Sequence, residues 1–248
     1  MIAPAASFAL YLFGIAWRPL IYAAFLVQAA YQGQRGVTLG RIPLVGVHDT
    51  LNFLAASTAV FALAVHSTRR QGKDFFVMVA GLCAAFTAFS LLQKPHATPL
   101  PPILNTYWFE LHVAMSFLSY ALFAVAAVLG VIYLRAGEAA CERLQYKMIF
   151  VGYCLFSLSM ILGGVWAFLA WGTYWLWTPK ELWTSLLWLY YGLYLHARLW
   201  RRWAGRPAAV LGIVGFVVMM FTYLGVGLLM KSSHSFIKTL HGCLTGND

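Results

Sequence analysis

Apolar residues run along the chain in seven long blocks, at roughly 6–30, 49–68, 75–93, 111–134, 148–170, 182–199 and 208–230. Between them lie shorter stretches where proline, glycine and basic residues collect. A helix needs about 20 apolar residues to cross about 30 Å of hydrocarbon. An open strand would leave its backbone groups unsatisfied there, so every block is predicted to be a helix. The expected fold is an all-α integral membrane protein of about seven transmembrane helices. Residues 1–248 form a single polytopic domain, with a tryptophan-rich external loop at 171–183. The connector 94–110 carries four prolines, which predicts an irregular path along the membrane surface.

Composition agrees with this. Of 248 residues 62% are hydrophobic and 10% charged, where a soluble domain carries about a quarter charged residues. A water-soluble enzyme, a disordered chain and a secreted disulfide scaffold are thereby excluded. The net charge of +10 would suggest a nucleic-acid partner in a soluble protein. Here the basic residues fall mainly in connectors, which points to topology and membrane lipid, with no nucleic acid. One side collects Arg69, Arg70, Lys73, Arg135, Arg143, Lys147, Arg198, Arg201, Arg202 and Arg206; the other holds Arg35, Arg41, Lys94, Lys180, Lys231 and Lys238. Ten against six places the N-terminus in the cytoplasm, and the C-terminal tail outside. Met1–Ser7 lacks the basic start of a cleaved signal peptide. Cys83, Cys141, Cys154 and Cys243 form neither C-x-x-C nor the C-x-x-C-H haem-attachment signature, so the chain is not itself a c-type cytochrome.

Candidate chemistry gathers on one face. The connector after the fifth block reads Trp171-Gly-Thr-Tyr-Trp175-Leu-Trp177-Thr-Pro-Lys180-Glu181-Leu-Trp183. Its four tryptophans fit either an interfacial aromatic belt or a flat platform for a large planar ligand, with Lys180 facing an anionic substituent. His112, at the head of the fourth block, and His234, just past the seventh, fall at the same face. Two imidazoles beside such a platform are what bis-axial ligation of haem iron needs. His66 and His196 lie near the opposite face, where intramembrane histidines are candidates for a second site. From Glu181 to His196 is roughly 22 Å of helix rise, too far for one porphyrin to touch both levels. His48, His96 and His241 are expected in solvated outside segments, the first two near enough to substitute as ligands.

The run WGTYWLWTPKELWT resembles the tryptophan-rich signature of the haem-handling cytochrome c assembly family (CcsA/ResC, related to CcmC and CcmF). Also similar are G-R-I-P-L at 40–44, Y-W-F-E-L-H-V at 107–113, Y-L-H-A-R at 194–198 and the His234-Ser235 pair. The resemblance covers roughly 38–238. It implies that His112 and His234 hold haem b at the outer face. It assigns Trp171, Trp175, Trp177 and Glu181 to the platform, and makes His196 the transmembrane histidine of an entry site, with His66 an optional partner. It further implies a component of a cytochrome c haem-lyase complex in a bacterial cytoplasmic or thylakoid-type membrane. A CcsB/ResB-type subunit and an apocytochrome c with a C-x-x-C-H motif would be its partners. No side chain acts as a catalyst, because the substrate's cysteines supply the nucleophile. Two positions depart from the family: Thr178 stands where Asp is usual, and His48-Asp49-Thr50 where Tyr-Glu-Ser is usual. Two other readings use the same histidines. One is a membrane b-type cytochrome taking electrons from quinol; the other is a haem exporter or chaperone without synthase activity.

Overall fold

The computed structural model describes residues 2–69, 71–95, 99–200 and 202–226, and all regular structure among them is helical. The helices are α1 (Ile2–Gly14), α2 (Pro19–Leu39), α3 (Val47–Thr68), α4 (Lys73–Leu91), α5 (Tyr107–Ala136), α6 (Ala139–Trp171), α7 (Pro179–Leu199) and α8 (Arg206–Met220). A 3-10 turn at Pro102–Leu104 lies within the proline-rich connector, and a π turn at Phe221–Gly225 extends α8.

Five helices are long and apolar enough to cross a membrane: α3, α4, α5, α6 and α8 with its π turn. This makes the chain a multi-pass membrane protein. Of the seven spans expected, these five meet that measure of length and hydropathy, and α2 and α7 fall below it. In α2 the residues Gln28, Gln32, Gln34 and Arg35 lower the mean hydropathy, and in α7 Lys180, Glu181, His196 and Arg198 do so.

The first predicted block, 6–30, is not one helix. Residues 15–18 break it, with Pro19 at the first turn of α2. The two pieces fold back as a hairpin: a Cβ on Gly14 would sit 2.8 Å from Ile21, and Tyr11 donates to Gln28 at 2.8 Å. Arg18, at the bend, lies 5.0 Å over the Phe76 ring near the start of α4. The Ile2 end of α1 therefore points toward the end of the bundle where α3 begins. At about 1.5 Å per residue its 13 residues span about 20 Å, short of a full crossing. α1 thus runs back alongside α2 rather than continuing its path. The connector predicted at 135–147 shrinks to two residues, since α5 runs to Ala136 and α6 starts at Ala139.

α5 is the hub and packs against α3, α4, α6 and α8. From Ser119 to Gly130 every residue is buried. Ala121, Ala124, Ala126, Ala127 and Gly130 let neighbouring backbones approach, the usual basis of helix association where lipid removes the hydrophobic drive. Polar contacts supply the rest. Gln28 donates to Asn52 at 3.1 Å and to Thr87 at 3.3 Å, and Asn52 donates to the His48 carbonyl at 2.9 Å and to Ser90. The His48 Nδ1 proton goes to the Ser90 carbonyl at 2.9 Å, leaving Nε2 to accept from Tyr31 at 2.8 Å. His48 is 1% exposed, so the expectation of a solvated side chain is corrected: both ring nitrogens are used to join α2, α3 and α4.

The starts of α3, α5 and α7 and the ends of α4, α6 and α8 meet at one end of the bundle, the tryptophan end. At the other, arginine end, Arg198 pairs with buried Glu142 at 2.5 Å. The hairpin predicts that a reporter fused ahead of Ile2 and one inserted at Tyr174 respond identically to an impermeant reagent in intact cells. Opposite responses would show that α1 and α2 form one continuous span.

Candidate functional site

A cavity of about 350 Å³ opens at the tryptophan end. His112, Trp175, Lys180 and Glu181 line it together, with Trp166, Ser116, Ser159, Thr50 and Tyr223. The structure thus brings four of the residues singled out in the sequence into one chamber.

His112 sits one turn into α5 and is clasped by α6. Its Nδ1 lies 2.8 Å from the Ser159 carbonyl, which can only accept, so Nδ1 carries the proton. Ser159 Oγ returns a bond to the His112 carbonyl at 3.0 Å and meets Ser116 Oγ at 2.5 Å. Nε2 keeps its lone pair and has no hydrogen-bond partner among the described residues. A backbone carbonyl fixing the far nitrogen in this way is the common support of a metal-ligating imidazole. Gly163, one turn beyond Ser159, makes room for the ring: a Cβ there would lie 2.6 Å from Nδ1 and 2.8 Å from Cε1.

The loop 172–178 is built by helix-end chemistry. Gly172, at φ 73°, ends α6 in the left-handed conformation that glycine tolerates. Thr178 caps α7, accepting from the Glu181 N–H at 3.3 Å. Glu181 returns its carboxylate to the N–H groups of Thr178 at 3.0 Å and Leu176 at 2.9 Å. This closes a capping box, with Pro179 in the first turn. It also holds Trp177 at φ 57°, a conformation costing about 1–2 kcal/mol for a non-glycine residue. Glu181 is therefore 8% exposed and committed to the loop. Thr178 supplies the cap that aspartate would supply equally well.

The tryptophans do not form one shelf. Trp175 walls the cavity, Trp171 packs edge-on to Trp166 at 4.8 Å, Trp177 is 66% exposed, and Trp183 packs against Phe221 at 4.6 Å. Lys180 lines the cavity with no hydrogen bond or ion pair of its side chain among the described residues. His234 lies outside the described residues, as do His96 and His241. His66 and His196 are at the arginine end, and no bond or ring contact joins them. They differ in readiness as ligands. His196 Nδ1 donates to the Gly192 carbonyl at 2.8 Å, leaving the Nε2 lone pair free on an exposed side chain. His66 Nδ1 instead accepts the Gln71 N–H at 3.0 Å, so its lone pair is consumed.

Three residues were invisible to sequence reasoning. Ser159 and Gly163, four apart on α6, share a face, but nothing in the sequence says that His112 meets that face. Tyr223 reaches the cavity because the π turn redirects it; its hydroxyl lies 2.6 Å from Thr50 Oγ1 and its ring 4.9 Å from Phe117. Such turns recur at functional sites. The capping box T-P-K-E, by contrast, is legible in sequence.

The molecule is a helical membrane bundle with an oriented imidazole in an aromatic-walled cavity at one end. The chain belongs to the cytochrome c assembly protein family, whose description matches residues 44–234. It is 33% identical over 216 residues to the cytochrome c biogenesis protein CcsA of Chlamydomonas reinhardtii, covering 79% of this chain and 61% of that relative. It thus spans less than two thirds of the algal protein's length. To CcsA of Synechococcus elongatus it is 32% identical over 275 residues, 86% of this chain and 84% of the relative. Among solved structures it resembles the cytochrome c heme lyase CcmF with a TM-score of 0.69 at 15% identity, over 94% of this chain and 46% of that one. That likeness is one of fold.

Two outcomes follow from the geometry. Gly163→Ala should collide with the His112 ring and cost about 1–3 kcal/mol of stability through overpacking; thermal melting of the purified protein measures it. Thr178→Asp should leave thermal stability unchanged, whereas Thr178→Val should cost about 1 kcal/mol through loss of the cap. Equal melting of the two variants would remove the capping role.

Proposed function

We propose that the chain is the haem-binding membrane subunit of a cytochrome c synthase, which presents haem b at the tryptophan end for thioether attachment to an apocytochrome c. The observation that supports this most is His112: its Nδ1 proton is fixed by Ser159, and its Nε2 lone pair has no partner among the described residues in the cavity walled by Trp175. The residues fit the group. A neutral imidazole is the ligand that haem iron takes, an indole wall suits the macrocycle, and the unpaired Lys180 ammonium suits a propionate. His234 would be the second axial ligand. Trp171 and Trp177 would flank the macrocycle's edge. Glu181 would act by holding the loop in shape.

Haem is the substrate here. Each cysteine thiol of the apocytochrome's C-x-x-C-H motif adds across a vinyl group, sulfur to one carbon and hydrogen to the other, with no net change in electrons. The chain's own residues bind, orient and hold the iron in its coordinated state, and none is a nucleophile. His196, with its free Nε2, would take haem at the arginine end and pass it on. His66 fits that task less well, since Nδ1 is occupied. A CcsB/ResB-type subunit would complete the assembly.

In the same reading the tryptophan end faces outward from a bacterial cytoplasmic or thylakoid-type membrane. Helices α2 and α7 run between the two ends beside the five apolar spans, so that seven crossings form one domain over residues 1–248, with haem crossing between its two levels.

The test is His112→Gly. Haem extracted by acid-acetone from the purified variant should fall by about tenfold or more, and added imidazole should restore part of it together with cytochrome c yield. His234→Gly should behave alike. His196→Gly should lower the amount of haem loaded without changing the spectrum of what remains. Haem content unchanged in His112→Gly would overturn the assignment.

A further inference from the structure

The wall between the His112 chamber and a groove on its α2 side is one chain thick. Residues 44–47 and Leu104 face the chamber. Residues 40–43 and 105–107 face the groove, an open space of about 750 Å³. Consecutive residues thus line opposite cavities, and no residue lines both. One stretch of this wall, 40–46, is fastened to α2 and α3. The Arg41 N–H donates to the Gly36 carbonyl at 3.2 Å, and the Gly46 carbonyl accepts from Thr50 Oγ1 at 2.8 Å. The other stretch belongs to the proline-rich connector, which is described from 99 to 106.

The connector's backbone bonds are local. The Leu104 N–H donates to the Pro101 carbonyl at 2.9 Å, and the Asn105 N–H to the Pro102 carbonyl at 3.2 Å. Pro99, Pro101 and Pro102 bring no N–H with which to tie it elsewhere. What holds it to the bundle is side-chain contact. Leu104, 7% exposed, is turned into the chamber wall. Trp166, 2% exposed on α6, donates its indole N–H to the Ile103 carbonyl at 2.8 Å. The indole itself is anchored, packing on Phe109 at 5.1 Å and Trp171 at 4.8 Å. The 172–178 loop, by contrast, is locked by its capping box. A segment held by so few contacts, with open space behind it, opens at far lower cost than the helices around it.

We infer that the 99–106 connector is a gate between groove and chamber, latched by Trp166 on Ile103, through which a cysteine-bearing polypeptide segment reaches a ligand held at His112. The passenger rests on the haem reading above; the gate rests on the wall and its fasteners alone. When the latch bond breaks, Leu104 leaves the chamber wall and the connector withdraws into the groove, joining the two spaces. The groove is open to an approaching chain beside Gly33 and Gly40, where a Cβ would meet nothing within 4 Å.

The gate is tested without haem, by the rate at which 2-sulfonatoethyl methanethiosulfonate modifies Val45→Cys in the purified full chain, read site by site by mass spectrometry. Val45 is 8% exposed on the chamber wall beside the gate. Native Cys83, buried where α4 meets the Ala55 carbonyl of α3, reports opening of the bundle as a whole. Cys154 and Cys243 are replaced by serine. Trp166→Phe keeps a ring and removes the N–H. It should speed modification of Val45→Cys about fivefold, the equivalent of one net hydrogen bond, and leave Cys83 unchanged. Trp183→Phe, whose ring packs on Phe221, should alter neither rate. Equal acceleration at Val45→Cys and Cys83 would show a loosened bundle and overturn the proposal. An unchanged rate at Val45→Cys overturns it too; haem loss in His112→Gly would then leave the haem reading standing without the gate. A C-x-x-C-H peptide activated as its pyridyl disulfide should also couple to Val45→Cys, and faster in Trp166→Phe. Entry of the small reagent without coupling of the peptide would overturn the gate's assignment to a polypeptide.

Discussion

The clasp between α5 and α6 at His112 and Ser159 is the interaction on which the tryptophan end depends. Three bonds, His112 to the Ser159 carbonyl, Ser159 to the His112 carbonyl, and Ser159 to Ser116, lock the register of the two longest helices where the cavity opens. Each interhelical bond in a membrane contributes only about 0.6 kcal/mol on average. Their combined effect is geometric rather than chiefly energetic. They set the rotation of α5 so that one imidazole nitrogen is spent on the fold and the other is free. With Gly163 removing the one atom that would collide with the ring, binding geometry and helix packing become the same constraint.

The other wall of the chamber is fixed from behind. The residues Leu44–Val47 and Thr50 line it, and the chain there is held by the buried network of Tyr31, His48, Asn52 and Ser90. A carbonyl, a hydroxyl and an amide converge on the His48 ring, so α3 cannot rotate without breaking several bonds in a low-dielectric interior. The Arg35–Asp49 pair at 2.7 Å anchors α2 to the same turn. His48 thus ties α2, α3 and α4 together through both ring nitrogens.

The two ends of the bundle differ in what their polar groups are for. At the arginine end, Glu142 and Arg198 satisfy one another and His66 closes the end of α3, so most of the polar groups there serve the fold, with His196 the exception. At the tryptophan end, Lys180 and His112 Nε2 line a cavity and have no partner among the described residues.

Helical class, membrane residence, most helix positions and the make-up of the 171–183 stretch were all determined by the sequence alone, because each rests on local composition: apolar length against bilayer thickness, and tryptophan beside Thr-Pro-Lys-Glu. His112 was legible as a histidine near that loop for the same reason. The break at residues 15–18 was not, since the apolar run continues through Arg18 and only the packing of Tyr11 on Gln28 turns α1 back. Nor was the contrast among histidines. His48, His66, His112 and His196 look alike in sequence, each a lone imidazole near a helix end. Which ring nitrogen is consumed depends on a carbonyl or amide brought from elsewhere: from α4 for His48, from α6 for His112, and from residues four or five along the chain for His196 and His66. Tertiary structure alone decided that, because a hydrogen bond between helices depends on rotation and register, which composition does not encode.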